Sequence, residues 1–227
     1  MMPSDPFELA QQSLCVPDPC DLLTPRTEPI KLGVLASGSG SNFAAIAEAI
    51  AQQQLAAHIE VLIYNIPNAK AAERAQHHNI PTQLLNHRDY PSREALDQAI
   101  VAVLQRYNVD LVVMAGWMRV VTPVLLEAFA QRVLNIHPSL LPSFKGLHAV
   151  EQALAAGVKI TGCTVHWVVP EVDSGQIIMQ AAVPVLPGDT PETLHARIQV
   201  QEHRIMVGAI ALATAQIETL ALDPVVI

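Results

Sequence analysis

Asn135-Ile136-His137-Pro138-Ser139-Leu140-Leu141-Pro142 sets an amide and an imidazole two residues apart, followed by two prolines. The preceding Arg132-Val133-Leu134-Asn135 reads as a short apolar strand that Pro138 and Pro142 prevent from continuing. Side chains alternate along a strand, so Asn135 and His137 share a face. An amide N–H and an imidazole N–H aimed at one carbonyl oxygen stabilise the charge that develops there in a tetrahedral state, by about 3 kcal/mol per donor. Acyl transfer is the chemistry such a pair can perform. Asp173, ahead of Ser174-Gly175, adds a carboxylate that can favour a protonated imidazole and relay a proton through water. Read singly, the histidine is also an ordinary hydrogen-bonded turn residue and the aspartate an ordinary turn former.

A second constellation lies near the start of the patterned region. Ala36-Ser37-Gly38-Ser39-Gly40-Ser41-Asn42 joins an apolar strand, Lys31 to Leu35, to a helical pattern from Phe43 to about Gln53. The first N–H groups of such a helix have no partners, and the glycines let an anion approach the backbone closely. Ser41 and Asn42 can add side-chain donors. The loop suits a phosphate, with a plain capping loop as the alternative. A dinucleotide fits less well. The third glycine is absent at the usual spacing, and the second strand ends in Tyr64-Asn65 rather than in a carboxylate.

These residues need a scaffold, and strands alternating with helices supply one. Ile59 to Tyr64 reads as a strand, Ala69 to His78 as a helix and Thr82 to Leu85 as a short strand. Pro91-Ser92-Arg93-Glu94 opens a helix to about Tyr107, and Asp110 to Ala115 is an apolar run of the kind buried in parallel sheets. After the Asn135 strand, Ile160 to Val169 and Gln176 to Leu186 are longer strand-like runs suited to an antiparallel pair. Thr190 then caps a helix from Pro191 to about residue 215. The fold class expected is α/β: a Rossmann-like open, mostly parallel twisted sheet flanked by helices, with an antiparallel C-terminal strand pair. Residues 1–29 hold six prolines and no sustained periodicity, so they read as a flexible leader before a single domain at 30–227.

Bulk composition narrows the function. The chain has 227 residues, 51% of them hydrophobic, enough to bury a sizeable core. A formal net charge of -8 argues against a nucleic-acid groove or an anionic membrane surface, so an anionic substrate must be held locally. With neither a bilayer-length apolar run nor a basic-then-apolar start, a cytoplasmic location is expected. Three cysteines make no disulfide framework. Cys15 and Cys20 lack the companion ligands of a zinc site and read as thiols on a tail, while Cys163 reads as a small apolar strand residue. His77-His78 and His87 form no coherent ligand set, so no metal is expected.

Taken together, Ser37 to Asn42, Met114-Ala115-Gly116-Trp117-Met118-Arg119, Asn135 to Pro142, Lys145-Gly146-Leu147-His148 and Asp173 resemble the folate-dependent phosphoribosylglycinamide formyltransferases. The resemblance spans about residues 30 to 215. It implies transfer of a formyl group from N10-formyltetrahydrofolate, as cosubstrate, to the amine of glycinamide ribonucleotide in purine synthesis. It also implies Asn135, His137 and Asp173 as the catalytic set, and Gly40, Ser41, Asn42, Gln199 and Glu202 as ribonucleotide contacts. Arg93, Met118, Arg119, Val120 and Val121 match folate-binding positions. Asn135 and the loop Val169, Pro170, Glu171, Val172 and Asp173 match them too. Departures are the leader and Lys145, where several relatives have proline. Small-molecule substrates, no nucleic acid, no membrane, and a monomer or homodimer follow.

Formyltetrahydrofolate deformylase shares the Asn-x-His-Pro core and the aspartate but normally carries an N-terminal regulatory domain, which the leader is too short to form. Methionyl-tRNA formyltransferase has an additional C-terminal domain, and tRNA suits an acidic chain poorly. A non-catalytic folate or nucleotide sensor on the same scaffold could dispense with His137 and Asp173.

Overall fold

The computed structural model describes residues 14–17 and 28–222. Strand β1 is Cys15–Val16, β2 Ile30–Ala36, β3 Ala57–Tyr64 and β4 Thr82–Leu84. Beyond them β5 is Leu111–Met114, β6 Val133–His137, β7 Ile160–Trp167 and β8 Ile177–Pro184. The helices are α1 Ser41–Ala51, α2 Lys70–His77, α3 Arg93–Arg106, α4 Pro123–Ala128, α5 Ala149–Ala156 and α6 Pro191–Leu222. The strands form one eight-stranded sheet in the order β1-β8-β7-β6-β5-β2-β3-β4.

From β6 to β4 every pairing is parallel, whereas β7 runs antiparallel to both β6 and β8. The mostly parallel α/β sheet with an antiparallel C-terminal pair expected from the sequence is therefore present. β2 lies between β3 and β5, so the chain leaves it in one direction through α1 and returns on its other side. Open α/β sheets bind ligands at such a switch point, outside the carboxyl ends of the strands. The β7–β8 ladder has a register irregularity at Val165/His166: Val165 faces Met179 and His166 faces Ile177.

Apolar residues cover both faces of the sheet. Leu32, Val34, Leu134, Ile136, Cys163 and Val165 pack against Phe43 and Ile46 of α1 and against Ile198, Ile205 and Ile210 of α6. On the opposite face Leu35, Ile63, Val112 and Val133 pack with Leu96, Ile100 and Leu104 of α3 and Leu125 of α4. The result is a three-layer core with the central strands buried on both sides. No helix among the described residues is long and apolar enough to cross a membrane.

Four features differ from the sequence reading. β6 runs two residues further than expected and ends on His137 itself, because pairing with both β5 and β7 holds it extended up to Pro138. Two short helices, α4 and α5, were not expected, being six and eight residues long. α6 continues to Leu222. Within the expected leader, Cys15–Val16 pairs antiparallel with Ala181 and Gln180 of β8, while Cys20 lies outside the described residues.

α6 begins as its sequence indicates. The Thr193 N–H donates to Thr190 Oγ1 at 3.3 Å and the Thr190 N–H to Thr193 Oγ1 at 2.9 Å. Just before it, Asp189 takes a two-pronged bond from Arg197, at 2.7 and 3.0 Å, and Arg197 also donates to the Pro184 carbonyl at 2.9 Å. Both side chains are almost fully buried. Removing one member strands the other charge, so Arg197→Met is expected to cost about 3–5 kcal/mol in urea unfolding. Pairing it with Asp189→Leu should recover part of that loss; additive losses would show that the pair acts as two independent residues.

Candidate active site

His137 closes β6, and its ring is held at both nitrogens. Nε2 lies 2.8 Å from the Phe144 carbonyl oxygen, and Nδ1 lies 3.3 Å from Asp173 Oδ2. Both partners are acceptors, so an imidazolium has one N–H for each. Asp173 sits in the β7–β8 connection with a left-handed φ of 49°, a conformation aspartate tolerates better than most residues. Its side chain is only 9% exposed, and Oδ2 also accepts the Gly146 N–H at 2.8 Å. Burial by itself would raise the carboxyl's pKa. The His166 ring, the Gly146 N–H and the nearby His137 outweigh it, holding Asp173 below the ordinary aspartate range.

The same connection depends on Gly175. A Cβ there would lie 1.7 Å from the Trp167 carbonyl oxygen, inside the turn that the Trp167 N–H closes on Gln176. Any other residue would push the two strand ends apart and carry Asp173 away from His137.

His166, which the sequence reading did not single out, completes the cluster. It faces Asn135 across the β6–β7 ladder. Its Nδ1 is 2.8 Å from the Trp167 carbonyl, which assigns the proton of the neutral ring to Nδ1. Nε2 is then free to accept from Asn135 Nδ2 at 3.2 Å. Asp173 Oδ1 lies 3.6 Å from the same nitrogen, too long for a hydrogen bond, and it is the ring with a proton on both nitrogens that lowers the Asp173 carboxyl. One amide N–H of Asn135 is thus committed to the protein and one remains. Asn135 and His137 do share a face, but the paired grip on one oxygen expected from their spacing is not preformed. Their donors rest on His166, Phe144 and Asp173.

At the other end of the site, α1 starts immediately after Gly40, whose φ is 69°. A Cβ at Gly40 would lie 2.6 Å from the Ala71 Cα, so the close approach of α2 to the loop, as well as the backbone conformation, requires glycine. The side chains expected to supplement this loop face α6. Ser41 Oγ accepts from Gln199 Nε2 and Asn42 Nδ2 donates to Glu202 Oε2, each at 2.9 Å. Glu202 is 5% exposed. Burial raises its pKa, with the Asn42 bond and nearby His195 and His137 opposing. Cys163 is buried and desolvation pushes its thiol well up, in keeping with a packing role.

One cavity of about 660 Å³ joins the two ends. Its wall includes Gly40, Ser41, Asn42, Gln199 and Glu202, then Asn135, His137 and Asp173. Met118, Arg119, Val120, Val121 and the loop Val169 to Glu171 with Val172 close the remaining side. Arg93 is the exception among the expected residues. It is the exposed first residue of α3 and is not part of this wall. Among the described residues no group of three or more His, Cys, Asp or Glu is placed to hold a metal ion.

Residues 30–210 match the family described as formyl transferase. The chain belongs to the formyl transferase family. Phosphoribosylglycinamide formyltransferase of Mycobacterium tuberculosis (strain ATCC 25618 / H37Rv) is 45% identical over 194 residues, 85% of this chain and 89% of that protein. The trifunctional purine biosynthetic protein adenosine-3 of Bos taurus is 45% identical over 185 residues, and this chain spans only 18% of its length. Glycinamide ribonucleotide transformylase 1 from Symbiobacterium toebii superposes with a TM-score of 0.82 at 48% identity, covering 84% of this chain and 90% of that one.

The depressed Asp173 carboxyl fixes a pH dependence of stability. A folded-state pKa below the unfolded value of about 3.9 adds stability that is full above that value and lost as pH falls through the folded one. Wild type should therefore keep its advantage over Asp173→Asn in urea down to about pH 5 and lose it progressively at lower pH as the carboxyl protonates. Parallel curves for the two proteins across that range would remove the assignment.

Proposed function

We propose that this chain transfers a formyl group from N10-formyltetrahydrofolate to the amine of glycinamide ribonucleotide, a step of purine synthesis. One observation carries the reading: a single cavity has a glycine loop and helix N-terminus at one end and Asn135, His137 and Asp173 at the other. The N–H groups of Gly40, Ser41 and Asn42 at the start of α1 hold the ribonucleotide phosphate, and Gln199 and Glu202 contact the ribonucleotide. The formyl-folate lies along Met118 to Val121 and the Val169 to Asp173 loop. Arg93, outside the wall, is kept as a folate contact on the family resemblance alone.

The amine attacks the formyl carbon and negative charge grows on the formyl oxygen. Asn135 meets it with its second amide N–H, the first staying on His166. His137 meets it by exchanging the Phe144 carbonyl for the substrate oxygen, while Asp173 holds the other side of the ring at Nδ1. Hydrogen bonds of this kind tighten when substrate is present. Asp173 takes the proton of the attacking amine through water and returns it to N10 of the folate as the bond from the formyl carbon to N10 breaks, so the intermediate collapses to formylated ribonucleotide and tetrahydrofolate. The domain that does this is residues 30–227, with Cys15–Val16 from the preceding segment added at the sheet edge, working in the cytoplasm as a monomer or homodimer.

Incubation with N10-formyltetrahydrofolate, with and without glycinamide ribonucleotide, tests the reading. Formylated ribonucleotide is expected, with folate turnover only when the ribonucleotide is present. Folate turnover in its absence would instead identify a deformylase, and saturable binding without turnover a sensor. Asn135→Ala and His137→Ala should each lower kcat by about 10²-fold or more, leaving ribonucleotide affinity nearly unchanged. Equal losses in binding and rate would count against the oxyanion role.

A further inference from the structure

Ser139, Thr164 and Gln180 form a polar chain that lies outside the cavity wall. Thr164 faces His137 across the β6–β7 ladder, and Gln180 faces Thr164 across β7–β8. His137, Thr164 and Gln180 therefore stand in one row on one face of the sheet. Gln180 Nε2 donates to the Leu141 carbonyl at 3.0 Å and to Thr164 Oγ1 at 2.9 Å. Thr164 Oγ1 accepts the Leu141 N–H at 3.1 Å and donates to the Ser139 carbonyl at 2.7 Å. Ser139 Oγ donates to the Ser143 carbonyl at 2.6 Å. Ser139 and Thr164 are both fully buried.

Side chains thus fix the backbone of segment 139–143 at four atoms. The segment runs directly into Phe144, whose carbonyl takes the His137 Nε2 bond, and Gly146, whose N–H goes to Asp173. Phe144 has a φ of 56°, a conformation that a bulky residue holds only where its surroundings impose it. Sheet pairing does not hold this stretch, which lies between β6 and α5.

We propose that Gln180, acting through Thr164, is a positioning residue for formyl transfer: it holds segment 139–146 so that the Phe144 carbonyl and the Gly146 N–H aim the His137–Asp173 pair. Gln180 touches no substrate and its effect falls on the geometry of the His137 ring. The inference rests on the transfer reading above.

The test compares Gln180→Leu, which keeps the bulk and loses both donors, with Thr164→Val and Thr164→Ser. Expected are a kcat lower by about tenfold or more in the first two and ribonucleotide affinity by calorimetry within about twofold of wild type. Thr164→Ser, which keeps the hydroxyl, should retain kcat within about twofold. Unchanged kcat in folded Gln180→Leu, or kcat and affinity falling together, would overturn the proposal. Should Gln180→Leu fail to fold, the Thr164 pair decides, since equal rates for Val and Ser would overturn it. The ¹⁵N imidazole signal of His137 gives a readout independent of turnover. It should move in Thr164→Val and stay in Thr164→Ser, and a signal unmoved in both overturns the proposal. A wild type that does not formylate glycinamide ribonucleotide refutes the transfer reading, and the imidazole signal then still decides whether the row positions His137.

Discussion

The Asp173 carboxylate is where three separate stretches of chain meet. It takes the Gly146 N–H from the loop after β6, lies against the His137 ring at the end of β6, and feels His166 on β7. A carboxylate this deeply placed survives as a charge only when hydrogen bonds and opposite charge replace its water. Its partners must therefore be held rather than merely nearby, and most of the surrounding structure serves to hold them. Gly175 lets the β7–β8 turn close tightly enough to deliver the carboxylate. The loop 139–146 delivers the amide and the carbonyl, and the β6–β7 ladder delivers His166.

The opposite end of the cavity uses a different kind of electrostatics. An acidic chain cannot gather an anion by its overall field, so the proposed anion site is a local one: backbone N–H groups at the start of α1, beside a glycine that keeps α2 close. α6 braces that start, with Gln199 on Ser41 and Glu202 on Asn42, and the same helix packs on the sheet beneath the catalytic strands. Helix and sheet together set the distance between the two ends of the site.

Much of this was legible in the sequence because it follows from local rules. Strand alternation put Asn135 and His137 on one face, and the apolar strand before Ser37 to Asn42 marked the loop as the start of a helix. His166 was hidden because its role comes from cross-strand register. Its partner Asn135 is 31 residues away, and an isolated histidine in an apolar strand carries no signal of such a partner. α4 and α5 are too short to show periodicity. The resting partners of Asn135 and His137 were equally invisible, since Phe144 and Trp167 contribute backbone carbonyls, which every residue has.

β7 has a further property that its pairing imposes. It is clamped between β6 and β8, and its polar residues Thr164 and His166 alternate with buried Cys163 and Val165. Shifting one residue along either ladder would turn the polar row into the core and set thiol and valine opposite Asn135 and His137. Single-residue insertions or deletions within this strand are thus excluded, while exchanges between side chains of similar size are not. The irregularity at Val165/His166 takes up an odd residue on the β8 side. Length variation among proteins built this way should accordingly collect in β8 or the turn before it, leaving β7 at fixed length.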